Sequence, residues 1–179
     1  MNSLSTARLR ATLAALACTL ACAAAGAGED RDGFSAGLSV QPRASATDIG
    51  LPVYPGATPE RDRDDDSDGA TISLWGGPFG MDLRVVKLRS ADSADTVSRF
   101  YRDALERQGR LVDCSRDAPP EAPAPAASGT KLLRCGSDRG KPGGHLYKLG
   151  VPGGVRIVAI EPADGGSRIQ LVRLLLRGD

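Results

Sequence analysis

The sequence predicts an α+β fold: a mostly antiparallel β-sheet with one amphipathic helix packed on one face, in two layers. Three observations carry this. One stretch alone, Val97 to Gln108, repeats its apolar residues at three- and four-residue spacing. Short runs with strand-like alternation lie before and after it, and Gly/Pro turn sequences separate them. A helix beside a run of antiparallel strands gives two layers.

Composition narrows what the chain can do. Its 179 residues predict one domain with tails, and 23 Lys+Arg against 22 Asp+Glu leave the charge almost balanced. Neither a basic excess nor a basic stripe appears, so no nucleic-acid partner is expected. Gly (22) and Pro (12) favour short strands joined by turns, and with only seven aromatic residues the core must come from Leu, Val and Ile.

The first segment, 1–27, reads as a cleavable signal peptide. Arg8 and Arg10 are the only charges before Glu29, and an Ala/Leu-rich run from Ala11 follows them. Small residues such as Ala23, Ala25 and Ala27 supply cleavage sites. The run is too weakly apolar to span a bilayer, so no transmembrane helix is expected in the mature chain. Cys22 could instead be acylated, giving a membrane-tethered lipoprotein of the outer envelope, although Thr19 stands where that signal wants Leu. The expected location is therefore periplasmic or secreted, with the lipid anchor as the alternative. Residues 28–50, rich in Gly, Ser and Ala, read as a flexible linker, and the domain is expected over 51–179.

Leu51 to Pro59 holds three prolines and should be extended, with a turn at Pro55-Gly56. Thr71 to Trp75 alternates as a strand with Ile72 and Leu74 inward, and Gly76 to Gly80 turns the chain. In the partner strand, Leu83 to Arg89, the apolar phase flips between Val85 and Val86. That predicts a β-bulge, or a strand buried on both faces. The helix starts at a cap from Ser90, Asp92 or Ser93 and ends at a left-handed Gly109. Its outer face carries the pairs Asp95/Arg99 and Asp103/Arg107. Further strands are expected at 110–114, 131–135, 146–151, 155–161 and 168–177, with a Pro/Ala-rich loop at 115–130.

Four groups of residues could carry chemistry. Cys114 and Cys135 flank the Pro/Ala-rich loop, and an even pair in an exported chain reads as a disulfide. A metal site at these cysteines would need four ligands, and the chain has one histidine. Asp64, Asp66, Asp68 and Gly69 match the opening of a calcium loop, but Trp75 stands where the bidentate Glu belongs. Calcium is therefore an alternative, and the leading reading has no cofactor. His145 reads as an ordinary surface residue, since no nucleophile motif accompanies it. Arg134, Arg156, Arg168, Arg173 and Arg177 could dock an anionic surface if they share a sheet face; otherwise they are the polar half of alternating strands.

The segments LPVYPGA and DSADTVSRFYRDALERQG, followed by VRIVAIEP, resemble an uncharacterised group of bacterial exported proteins. That group combines a "YPGA" segment with an "FYR-x-x-L" helix. The resemblance covers roughly 51–178 and implies a shared fold without a reaction. The function expected is thus a non-enzymatic exported binding or structural domain, its partner unidentified.

Overall fold

The computed structural model describes residues 36–61, 69–119 and 133–178, all within the unit Phe34–Asp179. The chain runs β1 (Ala36–Gln41), α1 (Ala46–Ile49), β2 (Thr58–Pro59), β3 (Gly69–Gly76) and β4 (Phe79–Ser90). After these come α2 (Ala94–Glu106), β5 (Leu111–Asp113), β6 (His145–Val151), β7 (Gly154–Ala163) and β8 (Gly166–Arg177). One antiparallel sheet holds them in the order β1-β3-β4-β8-β7-β6-β5, with β2 extending β3's side of β4. The α+β expectation stands, with the long helix laid across the β5–β8 half.

Residues 36–50 correct the linker reading. Composition suggested a solvated tether, yet Leu38 and Val40 pair with Leu74 and Ile72, and Ile49 is fully buried in the core. Gly37 lies opposite Trp75. A side chain there would overlap the indole, its Cβ falling 2.2 Å from a ring carbon, so the glycine that looked like linker is a seat for the tryptophan. The short α1 is held by a capping box between Ser45 and Asp48.

The Tyr54 to Ala57 turn forms as expected, with Gly56 at φ +77°. Its tyrosine reaches the helix: Tyr54 packs edge-on to Phe100 at 5.2 Å and donates a hydrogen bond to Asp92 at 2.6 Å. The "YPGA" and "FYR" segments therefore touch each other as core contacts.

Ser93 caps α2, its hydroxyl accepting from the Thr96 amide. Val97, Tyr101, Ala104 and Leu105 face inward as the periodicity requires. Two details differ. Gly109 sits at φ +157° rather than in the left-handed well, and Asp95 bonds His145 while Arg99 bonds Thr96. The pull of the sheet on Asp95 outweighs an exposed helical ion pair, whose worth is only a few tenths of a kcal/mol.

In β4 the ladder is unbroken: Val85 and Val86 pair with Val172 and Leu171 in regular register, so there is no bulge. The phase flip has the other cause, apolar residues on both faces. Val86 and Leu88 point into the helix-side core, while Leu83 and Val85 point the other way and stay only half-buried. Leu74, expected inward, is on that second face and 48 % exposed. The run at 131–135 also differs: over its described part, Leu133 to Cys135, no strand forms.

Candidate binding surface

The register places side chains in rows across the sheet. On the helix side, Val86, Leu171, Val158 and Tyr147 form one row, and Leu88, Ile169 and Ile160 the next. All are buried beneath α2. Tyr101, fully buried, has its hydroxyl pushed up to about 12 by desolvation.

A third row on this side is cationic: Arg84, Arg173 and Arg156 stand side by side on β4, β8 and β7. The short α1 lies over them. Arg156 donates to the Ile49 carbonyl at 2.8 Å and Arg173 to the Asp48 carbonyl at 3.0 Å, while the Arg84 guanidinium lies 3.5 Å from the Asp48 carboxylate. Placing guanidinium groups against the carboxyl end of a helix is electrostatically favourable, although one turn makes only a small dipole. Burial and the neighbouring Arg173 lower the Arg156 pKa, whereas hydrogen bonds from Ser45 hold Asp48 below the usual carboxylate range. Beside this row a polar cleft of about 530 Å³ includes Thr71, Ser73, Asp82 and Arg84. Its charges answer one another: Arg84 bonds Asp82 at 2.9 Å, and Ser73 bonds the same carboxylate at 3.0 Å.

The late-strand arginines therefore do not share one face. Arg156, Arg173 and Arg177 lie on the helix side, Arg168 lies opposite and Arg134 lies in a loop. They are not simply the solvated half of alternating strands either, since Arg156 and Arg173 anchor α1. Arg168 and Arg89 both approach Glu60, whose carboxylate is 7 % exposed.

His145 is half-buried and tied down, contrary to the surface reading. Its Nε2 is 2.9 Å from Asp95 Oδ1, and its Nδ1 lies 3.5 Å from the Tyr147 hydroxyl. An acid, an imidazole and a hydroxyl thus sit together. However, Tyr147 is only 1 % exposed with Arg102 over its ring at 5.0 Å, so the hydroxyl is not offered to a substrate. The cluster joins the first turn of α2 to β6.

The opposite face of the sheet has a different character. Its first row is Leu38, Leu74, Met81 and Leu176. The second is Val40, Ile72, Leu83, Leu174 and Val155, and the third is Ala70, Val85, Val172 and Ile157. Beyond them the face turns polar, through Lys87 and Gln170 to Arg89, Arg168 and Glu161. At the β5–β6 end it is covered. Cys114 and Cys135 form a disulfide with Cα atoms 5.3 Å apart, Leu133 packs against Gly150, and buried Lys148 bonds Asp138 at 2.7 Å. The remainder is open: Leu38, Val40, Leu74, Phe79 and Leu176 are 45–65 % exposed. At the β3–β4 hairpin the end of the sheet dips into a cavity of about 610 Å³, lined from this face by Leu74, Phe79, Met81 and Leu176 and from the helix side by Trp75 and Arg177.

Among the described residues no group of acids, histidines or cysteines is arranged to hold a metal, and no helix is long and apolar enough to cross a membrane. Asp64, Asp66 and Asp68, and likewise Cys22, lie outside the described residues. Sequence reading missed the open face because its outermost strand, with the exposed Leu38 and Val40, comes from the supposed linker. Its one visible signal was the double apolar phase of β4 and β8.

Fold and surface together define a two-layer α+β domain with an apolar sheet face left uncovered among the described residues. Compared with protein-family models, with curated proteins and with solved structures, the chain matches none.

Proposed function

We propose that this chain is an exported, non-enzymatic domain that works by binding through the open face of its sheet. The observation that carries the reading is three adjacent rows of apolar side chains without a charge among them. Folded monomers rarely leave contiguous apolar patches larger than a few hundred Å² in water, and larger ones mark interaction sites. Export is supported by the Arg8/Arg10 and Ala/Leu leader and by the disulfide, which suits an oxidising compartment.

An apolar fluorescent probe, anilinonaphthalene sulfonate, tests the surface on natively purified chain at submicromolar concentration. Wild type should enhance probe emission, and Trp75, the chain's only tryptophan and part of the cavity wall, should respond. The double substitution Leu74→Glu/Leu176→Glu alters two exposed positions, so far-UV circular dichroism should be unchanged while probe binding is lost. Equal probe emission from both proteins would place binding elsewhere and defeat the reading.

A further inference from the structure

We infer that the partner of the open sheet face is a second copy of this chain, the two faces stacking into a β-sandwich. This rests on reading that face as the binding surface. The size of the patch decides between occupants. Leu38, Val40, Leu74, Phe79 and Leu176 are 45–65 % exposed, and the half-buried Ile72, Met81, Leu83, Val85, Val172 and Leu174 continue the surface between them. Together they present an apolar surface on the order of several hundred Å², the scale of the roughly 800 Å² each partner contributes to a standard protein–protein interface. A single acyl chain in the hairpin cavity would leave most of Val40, Ile72, Leu83 and Val172 in water. A flat apolar sheet of the same size covers them all.

Charge points the same way. A membrane surface would call for unpaired lysines and arginines around the patch to meet anionic headgroups. Here three cations at its polar end are already held by carboxylates: Arg168 and Arg89 both sit on Glu60, and Lys141 bonds Glu161 at 2.8 Å. The three apolar rows carry no charged side chain, so stacking them about a two-fold axis, where each residue meets the symmetry-related surface, brings no like charges together within the rows. Sheets stacked this way lie about 10 Å apart with strand directions within about 30° of each other. The helices α2 would then sit on the two outer faces, giving four layers.

Analytical ultracentrifugation of the natively purified chain over 0.1–100 μM, with probe emission read on the same samples, tests this. The expected result is a monomer–dimer transition in the micromolar range, above the concentration of the probe test, with probe emission per chain falling as dimer forms. Leu74→Glu/Leu176→Glu should weaken association at least roughly 100-fold, because each dimer would bury unpaired carboxylates. Val53→Glu, at an exposed position outside the sheet, should leave association unchanged. A wild type that stays monomeric at 100 μM yet binds probe, with binding lost in the double variant, would overturn the second copy and leave the face as a surface for another apolar partner. A monomer that binds no probe would overturn both readings. A dimer indifferent to the double substitution would locate the contact elsewhere, the free edge of β1 being the obvious place, and would overturn the inference as well.

Discussion

Replacing Tyr101 by Phe should leave the protein about as stable at neutral pH and make it more stable than wild type in alkali. Tyr101 is fully buried between helix and sheet, its ring edge-on to Phe100 at 5.1 Å, and the substitution keeps that packing. Its hydroxyl makes no hydrogen bond of ordinary geometry among the described residues, with only the Tyr54 backbone beside it. Removing such a group should change stability by no more than about 1 kcal/mol in either direction. Alkali is different because desolvation raises this pKa from 10.0 to about 12. The group's contribution is fully present below the unfolded value, because both states are then protonated. It is lost as pH rises towards the folded value, because the unfolded chain ionises first. At pH 11 the unfolded phenol is about tenfold ionised and the folded one about a tenth, a difference of about 1.4 kcal/mol against the native state. Tyr54, whose pKa is also raised by its bond to Asp92, adds a loss of the same sign, but equally in both proteins. Urea midpoints from far-UV circular dichroism at pH 8 and pH 11 supply the measurement. If wild type and Tyr101→Phe lose the same stability between those two values, the burial argument is wrong.

Three other outcomes follow from single contacts. Replacing both Cys114 and Cys135 by Ser opens a loop closed over a sequence separation of 21, which should cost about 3 kcal/mol in urea unfolding on the chain-entropy account; reduction of wild type should reproduce the loss. Gly166→Ala should unfold the protein or cost more than about 3 kcal/mol, since its Cβ would fall 2.0 Å from the Ser90 carbonyl oxygen at φ +148°. Gly165→Asn next to it, at φ +75° in open space, should change the thermal midpoint little, because Asn tolerates the left-handed region. The Asp48 carboxyl, lowered first by its bond to Ser45, supports α1 fully above the ordinary aspartate pKa and less as pH falls through the lowered value. The protection factors of the Ile49 and Gly50 amides, corrected for the intrinsic slowing of exchange in acid, should therefore fall before those of the sheet as pH drops, and Ser45→Ala should show that low protection already at neutral pH.

The helix and most of the sheet were legible because their signals are local. Val97, Tyr101 and Leu105 declare a face by spacing, and Ser93 declares where the helix begins. The turns at Pro55-Gly56, Pro152-Gly153 and Asp164-Gly165 place glycine where positive φ is needed. Failures came where the deciding partner is distant in sequence. Nothing around Leu38 announces that it will pair with Leu74, so a Gly/Ser-rich stretch passed for a tether. Arg156 and Arg173 look like the solvated half of an alternating strand until α1, more than a hundred residues earlier, lays its carbonyls over them. The same limit hid the open apolar face. A strand with both phases apolar, such as Leu83 to Leu88, states that each side must be covered, but names no cover. Among the described residues a helix covers Val86 and Leu88 and nothing comparable covers Leu83 and Val85. A sequence that carries twice the hydrophobic pattern its own layers can use is therefore specifying a second surface as well as a core, and the apolar rows of β1, β3, β4 and β8 are where that surplus lies.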